Sequence, residues 1–254
     1  MNTPSTAQPE LALIHGWGLG SAVWRPLFDA LTRSWRVHLI DLPGYGRSPD
    51  DPAEFTATAQ HLVDTLPEAI TLCGWSLGGL LAMRAAQLAP QRVDRLVLVG
   101  ATPCFAQRHD WPSAQRAGLL DDFTASVKLH PVQTLQRFVV LLCQGDSRAR
   151  SLTRELLATL RQAPIPAPAI LERGLDWLRA IDLRSMLPTL TQPTLLVHGD
   201  RDALNPIAAA RWLSHALRHG RLEIFAGTGH VPFLADSERF VALLDEFRHA
   251  SPTS

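Results

Sequence analysis

The strongest chemical signal in the chain is the run Gly74-Trp75-Ser76-Leu77-Gly78-Gly79. It follows an apolar stretch, AITLCGW, and precedes a helical pattern from Leu77 to Leu88, so the serine is predicted on a strand-to-helix turn. A serine held there is exposed for reaction, and flanking glycines let strand and helix approach with no Cβ between them. The helix also directs its free amides and positive end at the same point. An ordinary glycine-rich turn shares the spacing, but the strand before it and the helix after it favour a nucleophile.

Serine is a poor nucleophile until a base removes its proton. With this kind of turn the chain order is serine, acid, histidine, which leaves His215, His219, His230 and His249 of the ten histidines. His230, in the glycine-rich AGTGHVPF between strand RLEIF and the last helix, is the preferred base. His215 and His219, spaced i, i+4 on one predicted helix, could bind a metal, yet without a third ligand they read more simply as a solvated face. His249 belongs to a fraying terminus. For the acid, Asp200 and Asp202 compete in HGDRDALNP. The carboxylate must turn inward, which favours Asp202 and leaves Asp200 to pair with a cation or cap the turn; the alternative is two surface turn aspartates. Oxyanion donors are expected from the amides of Leu77, after the nucleophile, and Trp17, in HGWG after an early strand. His15 is read as support for that loop. Asp41, in DLPGYGRS, is read as fixing a turn at the same edge, too early in the chain to be first choice as the acid.

These residues need a scaffold. LALIH, Ala22–Leu31, RVHLI, Ala57–Leu66, AITLCGW, Leu77–Leu88 and RVDRLVLVG alternate strand and helix, and TLLVHG, Ile207–Leu217, RLEIF and Ser237–Phe247 resume the series. Runs such as LVLVG lack strict alternation and suit strands covered on both faces. The predicted fold class is α/β, a doubly wound and mostly parallel sheet. Between Pro103 and Pro188 strand signals cease, and Val132–Cys143, Ser151–Arg161 and Ile170–Leu178 read as helices, with the proline-dense QAPIPAPAI forcing a corner. The organisation expected is a core of residues 1–102 and 189–254 with residues 103–188 inserted as a helical lid over the carboxyl edge of the sheet, where ligands of open α/β sheets bind.

The 254 residues suffice for one large core. Lysine plus arginine equal aspartate plus glutamate, at 24 each, which removes the broad electrostatic case for nucleic acid or an anionic membrane surface. MNTPSTAQPE has no basic start followed by an apolar run, and no stretch approaches the roughly 18 apolar residues of a spanning helix. The three cysteines, Cys73, Cys104 and Cys143, form no metal-type or disulfide pattern, which fits a reducing cytoplasm. No metal, nucleotide or flavin motif is present, so no cofactor is expected.

Together HGWG, DLPGYGRS, GWSLGG, HGDRD and GTGH make the chain resemble the α/β-hydrolase superfamily, over about Leu11 to Gly100 and again from Pro193 onward. Within it, HGWGL, LIDLPGYGRS, LGG after the serine, and Thr102-Pro103-Cys104-Phe105 followed by Asp110-Trp111-Pro112 are similar to the biotin-pathway carboxylesterases, which cleave the methyl ester of pimeloyl-acyl carrier protein. The resemblance implies a cofactor-free esterase with Ser76, Asp202 and His230 as triad and Trp17 and Leu77 at the oxyanion and acyl site. It also implies that Phe138, Val139, Val140, Leu141 and Leu142 line an acyl channel; from the residues alone they read as helix core.

From Lys128 to Arg161 six basic residues face only Asp146 and Glu155, a local excess in a neutral chain. Arg150 and Arg154 share one side of a predicted helix. They could be a solvated face, but the resemblance turns the reading of Arg137, Arg150 and Arg154 toward docking of an acidic acyl carrier protein. The rival functions are a broad short-chain esterase using the same triad and a binding protein on the same scaffold, against which the complete triad argues.

Overall fold

The computed structural model describes residues 8–250; residues 1–7, most of the stretch read above for a leader, and residues 251–254 lie outside the described residues. Strands β1 (Glu10–Ile14), β2 (Arg36–Ile40), β3 (Ile70–Trp75), β4 (Val93–Val99), β5 (Thr194–Gly199) and β6 (Gly220–Phe225) form one sheet in the order β2-β1-β3-β4-β5-β6. Every neighbouring pair is parallel, in register Leu13↔Cys73 between β1 and β3 and Val97↔Leu195 between β4 and β5. Parallel pairs need crossovers, and helices α1 (Arg25–Leu31), α2 (Phe55–Thr65), α3 (Leu77–Leu88) and, towards the carboxyl terminus, the helices Ile207–Ala216, Pro232–Ala235 and Ser237–His249 supply the cover. All residues of β3 and β5 are buried, whereas edge strands β2 and β6 are mostly half-buried, so the apolar runs without alternation mark the strands covered on both sides.

The segment between β4 and β5 contains four α-helices, α4 (Ala117–Leu129), α5 (Pro131–Leu142), α6 (Ala149–Gln162) and α7 (Pro168–Ala180), and a short 3-10 helix, Arg184–Thr189. Three correspond to the predicted patterns. The fourth, α4, does not, because Asp121, Asp122, Thr124 and Ser126 break up an apolar series whose inward members are Leu120 and Val127. The proline-dense stretch ends α6 at Gln162 and starts α7 at Pro168, where the missing N–H costs nothing. In chain order the remaining helices are α8 (Ile207–Ala216), α9 (Pro232–Ala235) and α10 (Ser237–His249). Since α8 closes at Ala216, His219 lies beyond it, so the predicted helical His215–His219 pair does not form; the Nδ1–H of His215 donates to Arg211 O at 2.6 Å. No helix among the described residues is long and apolar enough to cross a membrane.

Candidate active site

Ser76 stands between β3 and α3 with φ 55° and ψ −117°, a backbone conformation a residue with a Cβ seldom adopts. Holding it costs on the order of 1–3 kcal/mol, supplied by the surrounding structure. The Ser76 N–H donates to Val99 O at 2.9 Å, tying the turn to the end of β4. A Cβ on Gly78 would meet His15 O at 2.6 Å, so only glycine lets the first turn of α3 press against the end of β1. That contact brings the loop His15–Gly18 beside Ser76. Leu77 opens α3, and its amide is one of those with no acceptor inside the helix.

His230 follows β6 and is wholly buried. Its Nδ1–H donates to Asp202 Oδ2 at 2.6 Å, and neither side chain is exposed. This bond sets the tautomer and leaves Nε2 with the lone pair; Nε2 is buried and has no hydrogen-bond partner among the described residues. The imidazole and Ser76 converge on the same stretch, Val99–Gly100: the serine amide binds Val99 O, and a Cβ on Gly100 would touch the His230 ring. Trp75, adjacent to Ser76, donates from Nε1 to His230 O at 2.9 Å.

Of the two competing aspartates the structure brings Asp202 to the histidine. Its Oδ1 accepts the amides of Leu204 and Asn205, each at 2.9 Å, and Oδ2 accepts His230. Burial would raise its carboxyl, but the opposed charge of His230 and these hydrogen bonds outweigh burial and hold it below the usual carboxylate range. Asp200 is exposed and accepts the Gly227 amide at 2.6 Å, capping a turn. Two further residues support the acid without having been assigned a role from sequence. His198 donates from Nε2 to Asn205 O at 2.8 Å and passes 3.5 Å from Asp202 Oδ2, and Asn205 Nδ2 donates to Gly100 O at 2.6 Å. Both lie in HGDRDALNP, but nothing in that string says which polar groups turn inward.

His15 supports its loop: Nδ1–H donates to Gly16 O at 2.6 Å and Nε2 accepts the Leu42 amide at 3.0 Å. Burial keeps it neutral, lowering its pKa to about 4 against the opposing Gly16 carbonyl and Asp41. Asp41 accepts the Ser21 amide at 2.8 Å, bracing the adjoining turn.

The Trp17 side chain forms one wall of a narrow apolar cavity completed by Leu119, Phe123, Phe138, Leu175 and Leu204. Its indole donates to Leu171 O at 2.8 Å and meets the rings of Phe138 and Phe123 edge-on at 4.8 and 5.8 Å. Leu119 and Phe123 also line an opening bordered by Arg137, Asp122 and Thr134. Larger clefts lie elsewhere, including one of about 350 Å³ between the loop at 18–22 and the turn at 162–166, but it has charged walls, including Arg25, Arg47 and Asp41.

Of the five residues expected along an acyl channel, only Phe138 lines this cavity. Val139 and Leu142 are buried in the core and Leu141 is half-buried. Val140 is corrected outright: it is 56 % exposed, because two residues along α5 turn it roughly 200° from Phe138. Arg137, Arg150 and Arg154 are exposed. Lys128 and Arg148, from the same basic stretch, are engaged, with Glu172 at 3.2 Å and with Ala235 O at 2.6 Å.

A sharp serine turn at the carboxyl end of a parallel sheet, with an Asp–His pair arriving from later loops, is the arrangement of an α/β hydrolase. The alpha/beta hydrolase fold family matches residues 9–237, and the chain belongs to that family. Its relatives include the "Pimeloyl-[acyl-carrier protein] methyl ester esterase" of Nitrosomonas europaea, 41% identical over 239 residues, 93% of this chain and 94% of that protein. The protein of the same name from Aromatoleum aromaticum is 40% identical over 244 residues, 94% of this chain and 98% of its own length. Among solved structures, an esterase from Exiguobacterium antarcticum superposes with a TM-score of 0.86 at 24% identity, covering 96% of this chain and 93% of that one, a likeness of fold.

Proposed function

We propose that the protein is a serine carboxylesterase that hydrolyses the methyl ester of a pimeloyl group carried on acyl carrier protein. The observation that carries the chemistry is the buried Asp202–His230 hydrogen bond, which leaves Nε2 free to serve Ser76 at the strained turn. In this reading His230 takes the Ser76 proton as Oγ attacks the ester carbonyl, and the amides of Leu77 and Trp17 receive the oxyanion. His230 then gives that proton to the departing methoxide, which leaves as methanol, and water, activated by the same imidazole, releases the acid from the acyl-enzyme. Asp202, kept ionised, orients the ring and stabilises the imidazolium.

The substrate assignment rests on the relatives' names. Residues 103–188 act as a lid, and the Trp17–Phe138 cavity, about 20 Å³ as it stands, widens to take the acyl chain through the opening at Arg137. Arg137, Arg150 and Arg154 form the docking surface for the acidic carrier. Guanidinium groups suit this, since they pair bidentately with carboxylates and are weakly hydrated. The deciding experiment compares kcat/KM for methyl pimeloyl-carrier protein with that for simple nitrophenyl esters. A strong preference for the carrier-bound ester is expected; equal or reversed preference would make the protein a broad short-chain esterase.

A further inference from the structure

The turn between α5 and α6 is fastened to the loop that carries His230. The His230 amide donates to Leu142 O at 3.0 Å, the Ser147 amide donates to Gly227 O at 2.9 Å, and the Gly229 amide donates to Asp146 Oδ2 at 2.9 Å. A Cβ on Gly229 would come within 3.0 Å of Leu142 O, so the two segments are in backbone contact. Of these links, Asp146 alone is made by a side chain. It is 7% exposed, and its other oxygen, Oδ1, accepts the Arg148 amide at 2.6 Å at the start of α6.

An aspartate that only closed the turn before α6 would need neither burial nor a second partner across the chain. Asp146 spans from the helix start to the residue preceding His230, and the position of that residue sets the direction from which the imidazole reaches Ser76. We infer that Asp146 is a positioning residue for His230, holding the catalytic loop from the α5–α6 turn. The negative carboxylate suits the task because charge-assisted bonds from backbone amides are shorter and stronger than neutral ones. The inference rests on His230 being the general base.

The test uses a small neutral ester, so that carrier docking plays no part. Asp146→Asn keeps an oxygen for the Gly229 amide but gives up the bond from the Arg148 amide, which then faces its NH2; Asp146→Ala keeps neither bond; Asp146→Ser can still accept the Arg148 amide but is too short to span to Gly229. Asp146→Ala and Asp146→Ser are expected to lower kcat by ~10- to 100-fold with KM little changed, as for a misplaced catalytic group. In both, Ser76 labelling by a phosphonate should slow in parallel, and the downfield proton resonance of the His230–Asp202 hydrogen bond should move. Asp146→Asn should stay within about threefold of wild type, in line with the net worth of one such bond. If Asp146→Ala fails to fold, Asp146→Ser decides. Wild-type kcat and an unmoved resonance in Asp146→Ser, whatever its melting temperature, would reduce Asp146 to a residue that closes the turn before α6 and overturn the inference. Full activity in Ser76→Ala would instead remove the triad reading on which it rests.

Discussion

At the scale of single residues, two aspartates two positions apart meet opposite surroundings. Asp202 is buried with both oxygens occupied by inward donors, and Asp200 faces solvent on a turn amide. Asp202→Asn should therefore reduce kcat by orders of magnitude, because the amide cannot hold the Nδ1–H tautomer or balance the imidazolium. Asp200→Asn should change it modestly, since the amide oxygen still accepts the Gly227 N–H. Steady-state kinetics on a nitrophenyl ester separate the two, and a dead Asp200 variant would invert the assignment. Ser76→Ala should lose on the order of a million-fold in kcat. It should also lose phosphonate labelling while its circular dichroism and melting temperature stay close to wild type, and labelling at the wild-type rate would rule out Ser76 as nucleophile.

At the scale of elements, α5 and α6 each present two unlike faces. Leu152, Leu156 and Leu160 bury one side of α6, and Arg150 and Arg154 stand exposed on it. Exposed charges of this kind act mainly on association rate and its salt dependence. Arg150→Glu with Arg154→Glu should raise KM for the carrier-bound ester several-fold and flatten its salt dependence, with hydrolysis of a small neutral ester nearly unchanged. Equal losses on both substrates would show a destabilised helix instead. On α5 the contrast is between Phe138, against Trp17, and Val140, in solvent. Phe138→Ala should lower kcat/KM for a medium-chain ester far more than for an acetyl ester, and Val140→Ser should alter neither ratio nor melting temperature. An unchanged chain-length preference in Phe138→Ala would remove the cavity from the acyl path.

At the scale of the whole molecule, the buried histidines are expected to cost stability in acid. His15 is pulled from its ordinary 6.5 to about 4 by burial, and His198 is lowered for the same principal reason against the opposing field of Asp202. Below pH 6.5 the unfolded chain takes up protons that the folded chain refuses, so stability present above that pH is lost as pH falls toward 4. For His15 alone the loss tends to ~3 kcal/mol at the low end of the window. His15→Gln should melt lower than wild type at pH 7 yet lose less melting temperature between pH 7 and 4.5; parallel losses would show that another group controls the acid transition.

The βα series, the serine turn, the order of serine, acid and histidine, and the glycine-rich approach to His230 were legible in the sequence. Each depends on local periodicity or on a backbone geometry that few residue types allow, and the strand limits at RVHLI and TLLVHG agree with the structure to the residue. What local pattern cannot carry is direction. Whether Asp200 or Asp202 turns inward, which of Phe138 to Leu142 meets the cavity, and that Asp146, counted only as one acid in a basic stretch, reaches the amide beside His230 all depend on segments far apart in the chain. Helix α4 leaves no clear pattern because its polar residues interrupt the apolar series, and its burial is decided by packing against α5 and α7. Tertiary structure alone settles these points, because a side chain's role is fixed by the partner it meets, and those partners come from loops more than 80 residues away in the chain for Asp146 and from another helix for Phe138.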